Sequence, residues 1–365
     1  MNEVTPLAGA VDAVEPGFHA TDGFGEWLAA QDVSLAFTTY QSGKLLLVGR
    51  DTACKLAIFE RSFTRCMGLH ATSESLHVST LFQLWRFENA LAPGETHEGH
   101  DRVYVPQVAY TTAEIDVHDV AVESSGRVIF ANTAFNCVAT VSERHSFTPL
   151  WVPGFVGELA GEDRCHLNGI ALRDGTARYV TVAARTRERE GWRTQRGSGG
   201  AVIDITTGVS LCEGLSMPHS PRWYRDRLWL HNSGAGEFGY VSPGGRFVAV
   251  ALCPGYLRGL AFTGDYAVAS LSLPRADETF SGLPLDSALQ ERRLAPVCGL
   301  IVIELASGKA VHSLHITGRV RELYDVAILP GVRRPMAIGL KTDEIQRIVT
   351  IGSSRPAGPG AMAGR

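Results

Sequence analysis

The chain has 365 residues, 45% of them hydrophobic and 20% charged, with a formal net charge of −4. That composition suits one large globular domain or two ordinary ones, and offers no basic surface for nucleic acid or an anionic membrane. No apolar run approaches the roughly 20 residues that span a bilayer, and the opening MNEVTPLAGAVDAVEPG lacks the basic start and apolar core of a secretory signal. Seven cysteines without CxxC spacing read as buried, reduced thiols, so a cytoplasmic protein is expected.

Residues 1–30 read as an N-terminal arm with a short helix at GEWLAAQ (25–31), capped by Thr21 or Asp22. LAFTTY and KLLLVGR (35–50) form a hairpin whose turn contains Ser42 and Gly43, and KLAIFERSF (55–63) follows as a third strand. Then one phrase recurs six times, a polar residue before a small and apolar run, a turn and a second β-rich run. The copies are CMGLHATSESLHVST (66–80), VHDVAVESSGRVIFANT (117–133) and LNGIALRDGTARYVTVA (167–183), followed by PHSPRWYRDRLWLHNSG (218–234), LRGLAFTGDYAVASLS (257–272) and LYDVAILPGVRRPMAIG (323–339). Counted from Gly68, Asp119, Gly169, Ser220, Gly259 and Asp325, the steps are 51, 50, 51, 39 and 66 residues.

A period of this size built from hairpins predicts an all-β chain folded as a single β-propeller over 31–352. The copies beginning at 117, 167 and 218 each parse as four strands, the number in one blade. Counting SLAFTTYQSGKLLLVG (34–49) as a further phrase favours seven blades. The alternative is six, with the N-terminal strands completing the last blade. A TIM barrel is excluded because helical periodicity is nearly absent. The Pro/Gly/Ala-rich stretch 353–365 reads as a disordered tail.

In a propeller the first strand of each blade lines the central channel, and positions two apart share a side. One residue before the reference positions stand Met67, His118, Asn168, His219, Arg258 and Tyr324; three before stand Arg65, Asp116, His166, Met217, Tyr256 and Glu322. Both sets are expected at one channel mouth. Imidazole and carboxylate are the usual ligands of zinc, iron and manganese, so His118, His166 and His219 are candidate ligands of a divalent metal. Glu322 would be a fourth ligand or a general base. Two other readings stay open, a metal-free polar ligand site and a purely structural polar channel with ordered water.

The long links ARTREREGWRTQRGSGG (184–200) and PRADETFSGLPLDSALQERRLAPV (274–297) are placed to roof this mouth, the second with a short helix from Leu285 to Arg293. Arginines in the first suit a carboxylate or phosphate, or simply pair with neighbouring glutamates. His70 falls outside both channel sets and reads as a packing residue; His97, His100 and His145 read as solvated, and His231 as a neighbour of the site. GxSxG, HExxH, Walker and Rossmann motifs are missing from the sequence.

Five stretches, FTTYQSGKLLL (37–47), DRCHLNGIAL (163–172), GLSMPHSPRWYRDRLWLHNSGAG (214–236), FSGLPL (280–285) and RELYDVAILPG (321–331), carry a resemblance. They resemble an uncharacterised bacterial family of roughly 350-residue hypothetical proteins with a domain of unknown function. The CHLNG and MPHSPRW strings are its specific marks, and the likeness spans about 30 to 352. It implies a propeller-like fold and no established activity. At fold level the chain also resembles the gluconolactonase-like hydrolases and the carotenoid-cleaving oxygenases, both of which hold a metal on the axis.

The expectation is therefore an enzyme acting at the channel mouth on a small polar or peptide-like substrate, by hydrolysis, isomerisation or oxygen chemistry at iron. Arg258 and Arg65 would hold an anionic group, while Asn168 and Tyr324 orient substrate or water. The alternative is a recognition propeller that binds a peptide or glycan through its loop face.

Overall fold

In the computed structural model, which describes residues 15–274 and 282–352, six β-sheets are arranged as a β-propeller. The seven-blade expectation is corrected to six. Blade 1 contains Leu69–Ala71, Ser75–Ser79, Gln83–Asn89 and Arg102–Thr111, with Pro335–Ala337 added in parallel at its edge. Blades 2, 3 and 4 begin at Val117–Val122, Leu167–Arg173 and Pro218–Tyr224. Blade 5 begins at Tyr256–Thr263 and gains Gly17–Ala20 as a fifth, outermost strand.

Blade 6 joins both ends of the chain. Its inner strand Leu323–Pro330 pairs with Val33–Thr39, which continues to Lys44–Arg50 and Leu56–Ser62. The hairpin that suggested a seventh blade is thus the outer part of the sixth. The pairing of Phe37 with Val326 closes the ring by joining both ends of the chain in one blade.

The core lies between blades, because each sheet buries a face only against its neighbour. Phe37 and Val48 of blade 6 pack on Val268, Leu300 and Leu314 of blade 5, and the helix α1 (Phe24–Ala30) covers that seam with Phe24, Trp27 and Leu28. This helix has Gly23 at its N-cap and no side-chain cap, so the expected Thr21 or Asp22 cap does not form. All seven cysteines are unpaired and six are buried. Among the described residues no helix is long and apolar enough to cross a membrane. The arm up to residue 14, the stretch 275–281 and the tail 353–365 lie outside the described residues.

Candidate functional site

Every one of the six repeated phrases supplies an inner strand, and the residues near its start ring the axis. Local backbone explains how. Five of the six inner strands carry one extra residue against their partner strand, at Val117 to Val120, Leu167 to Gly169, His219 to Arg222, Leu257 to Leu260 and Leu323 to Val326. Such bulges re-aim side chains and break strict alternation. The residue three before the reference position is left-handed in four blades, Arg65, Asp116, His166 and Met217, at φ 53, 55, 50 and 47°. Each such non-glycine residue costs about 1–2 kcal/mol unless its surroundings impose the conformation.

The strained residues set the histidines. Nδ1 of His118 lies 3.0 Å from the carbonyl oxygen of Asp116, and Nδ1 of His219 lies 2.8 Å from that of Met217. A carbonyl can only accept, so both imidazoles carry their proton on Nδ1 and turn an Nε2 lone pair the other way. Burial is the main reason that His118 falls to about 3 and His219 well below the ordinary histidine value. Both are neutral at pH 7.

His166 is held differently. Its Nδ1 lies 2.9 Å from Oδ2 of Asp163, which also accepts a 2.8 Å bond from Nε1 of Trp192. The Trp192 ring stacks on His166 at 4.2 Å between centroids, and His118 meets His166 edge-on at 4.8 Å. On the far side of the ring Arg258 pairs with Glu322 at 2.8 Å, both buried, with its guanidinium over Tyr256 and Tyr324 at 5.1 and 4.8 Å. Burial opposes the Arg258 charge, and Glu322 together with Tyr324, Tyr256 and Tyr40 more than offsets it. Burial drives the Tyr324 phenol well above its ordinary value, so it keeps its proton.

The structure thus brings together His118, His166, Tyr324, Arg258 and Glu322. His219 packs on Tyr256 at 5.6 Å, and Oδ1 of Asn168 accepts a 2.7 Å bond from Thr181. Arg65 is paired with Glu114 at 2.9 Å and Asp116 at 3.4 Å. Among the described residues no group of three or more His, Cys, Asp or Glu has a geometry that could hold a metal ion. Glu322, expected as a fourth ligand or a general base, is instead engaged by the Arg258 guanidinium, which would also face a dication.

Both long links contribute to a roof. Trp192 of α2 (Trp192–Gln195) and Leu285 and Leu289 of α3 (Pro284–Arg292) form one apolar cluster with Met217 and Tyr256. The reference positions below the ring form a packed layer. Gly68, Gly169 and Gly259 alternate with Asp119, Ser220 and Asp325, and a Cβ on Gly259 would stand 2.4 Å from the backbone nitrogen of Val326.

At the opposite mouth lies a largely apolar concavity of about 340 Å³ that includes His70, which is therefore a channel residue and not simple packing. Its floor is Arg222, bonded to Oδ2 of Asp119 at 2.8 Å and 3.6 Å from Oδ1 of Asp325. Sequence reading missed Arg222 as a channel residue, along with Asp163 and Trp192. The Asp163–His166 spacing (DRCH) was the one local signal available.

A family model described as a domain of unknown function (DUF4915) matches residues 22–338. No curated protein sequence matches the chain. Among solved structures, a chain of a nidogen/laminin complex aligns with a TM-score of 0.52 at 13% identity, over 82% of this chain and 99% of that one. That likeness speaks to the fold alone. A gluconolactonase from Xanthomonas campestris aligns at TM-score 0.46 and 13% identity, over 80% and 87% of the two chains. An inactive virginiamycin B lyase from Staphylococcus aureus, solved with quinupristin, aligns at 0.40 and 11%, over 83% and 99%.

Proposed function

We propose, for a chain that belongs to the DUF4915 family, that the roofed channel mouth is an acid–base active site for a small polar substrate. The observation that carries this reading is the pairing of His166 with Asp163 at 2.9 Å beneath Trp192. A carboxylate that accepts from Nδ1 holds an imidazole in the tautomer whose Nε2 can take a proton, and it stabilises the imidazolium that results. His166 is therefore the base. Tyr324, which stays protonated, and the amide of Asn168 are the donors for an oxygen that gains charge in the transition state. Arg258 and Glu322 shape and stiffen the ring.

The reading uses no metal. It favours hydrolysis or isomerisation over oxygen chemistry, since a proton acceptor and two donors suffice for the former. The net charge of −4 argues for a small-molecule substrate over a nucleic acid. Seven unpaired cysteines suit a reducing, cytoplasmic setting.

The test is turnover of small lactones, esters and N-acyl dipeptides, followed by proton NMR for the wild type, His166→Ala and Asp163→Asn. His166→Ala is expected to lose about 100-fold or more of the rate. Equal turnover by wild type and His166→Ala would refute the assignment. Saturable binding with no turnover across the panel would favour the recognition propeller instead.

A further inference from the structure

Three polar atoms of the ring are buried and have no hydrogen-bond partner among the described residues: Nδ2 of Asn168, Nε2 of His219 and Oη of Tyr324. Their residues are 3%, 3% and 4% exposed. They occupy the same position in blades 3, 4 and 6, so the repeat itself sets them round one axis. Buried polar groups are rarely left unpaired, and each one costs as much as a lost hydrogen bond. Something that enters the ring is expected to satisfy them.

The chemistry of the atoms limits what that is. His219 presents a lone pair, because its proton is engaged by the Met217 carbonyl. His118 presents another for the same reason. Asn168 offers N–H, since its oxygen already accepts from Thr181, and Tyr324 offers O–H. The charges are already matched: Arg258 is paired with Glu322, and Arg65 with Glu114 and Asp116. Within the ring, among the described residues, an anion would meet imidazole lone pairs beside cations that are already paired. A cation would be taken out of water beside Arg258.

We infer that the ring takes an uncharged polyhydroxylated molecule of the carbohydrate class, whose hydroxyl groups donate to Nε2 of His219 and His118 and accept from Asn168 and Tyr324. A hydroxyl group does both at a single oxygen. This deepens the acid–base reading by naming the substrate class and rests on the same site.

Binding is measured without turnover, by ligand-observed NMR and calorimetry on the full chain. The probes are glucose, sorbitol and myo-inositol, against glucuronate, glucosamine and glucose 6-phosphate. At least one neutral polyol is expected to bind saturably at or below about 10 mM, and at least about tenfold more tightly than the charged probes. Asn168→Leu and His219→Leu should each weaken it by about tenfold or more, with His219→Gln, which restores an acceptor, recovering part of the loss.

Tighter binding of a charged probe would overturn the inference, as would no saturable polyol binding, which would leave ordered water in the ring. The comparison among probes uses wild-type protein, so a variant that fails to fold does not blunt it. A protein that binds polyols while His166→Ala turns substrate over unchanged would sink the acid–base reading and leave this one standing.

Discussion

Arg222 of blade 4 reaches across the propeller axis to Asp119 of blade 2, Nη1 to Oδ2 at 2.8 Å, with Asp325 of blade 6 at 3.6 Å. The carboxylates do a second job. Oδ2 of Asp119 accepts the N–H of Ile170, and Oδ2 of Asp325 accepts that of Leu69, each on the following blade. The side chain of Arg222 keeps 23% exposure against 3% for each carboxylate, so the guanidinium faces the apolar mouth and screens the acids from it.

Removing the cation should therefore be costly. Arg222→Met leaves two buried carboxylates uncompensated and is expected to lower stability by about 3–5 kcal/mol in urea unfolding. Adding Asp119→Asn and Asp325→Asn should recover most of that loss. A loss below about 1 kcal/mol for Arg222→Met would show that the axis does not depend on this pair.

The reference-layer glycines make a second prediction. A methyl on Gly259 would lie 2.4 Å from Val326 N and 2.7 Å from Asp325 Cα, both backbone atoms that cannot rotate away. Gly259→Ala should cost about 1–3 kcal/mol through overpacking at the junction of blades 5 and 6. Gly244→Ala, where nothing lies within 4 Å, is the control and should change the thermal midpoint little.

Stability should fall in mild acid. Burial lowers His118 and His231 to about 3 and His77 to about 4. Below the unfolded value near 6.5 the unfolded chain binds protons that the native state refuses, so stability is lost as pH falls through that window. Each fully buried histidine loses about 2 kcal/mol between about pH 6.5 and pH 5. Asp325 works the other way. Burial raises it to about 7 despite Arg222, so its contribution is present in acid and lost as pH rises towards 7. One carboxyl against several histidines leaves the net slope positive. Urea midpoints at about pH 5 and pH 7.5 check it, and His231→Leu should flatten the difference. A midpoint that rises on acidification would contradict the sign.

Metal content is a direct check of the ring's chemistry. Protein purified without chelator or affinity tag should carry less than about 0.1 equivalent of zinc, iron or manganese, and chelator should leave ligand binding unchanged. A stoichiometric metal lost on His118→Ala would restore the metal site that His118, His166 and His219 suggested in sequence.

Much of the fold was legible because each blade carries its own turns and its own alternation. The strands of blades 2, 3 and 4 stand where their hairpin signals put them. The blade count was misread at the one place where pairing is non-local, since Val33–Thr39 finds Leu323–Pro330 almost 300 residues away. No local pattern encodes that. The site was legible to the same depth: counting back one and three residues placed His118, His166, Tyr324, Arg258 and Glu322 at one mouth.

What strict alternation could not supply was the bulge. One extra residue at the start of an inner strand lets neighbouring positions face the axis together, which is how Asp119 and Asp325 join the channel. Asp163 and Trp192 were out of reach for a different reason, because they approach His166 from links whose course depends on the roof they help to form. Residue order alone established a six-times repeated β unit with polar residues at the start of each inner strand. The closure of the ring and the ion pairs Arg222–Asp119 and Arg258–Glu322 were settled by contacts between strands far apart in the chain. Hydrogen bonds and ion pairs depend on distances of about 3 Å, which spacing along a strand does not specify.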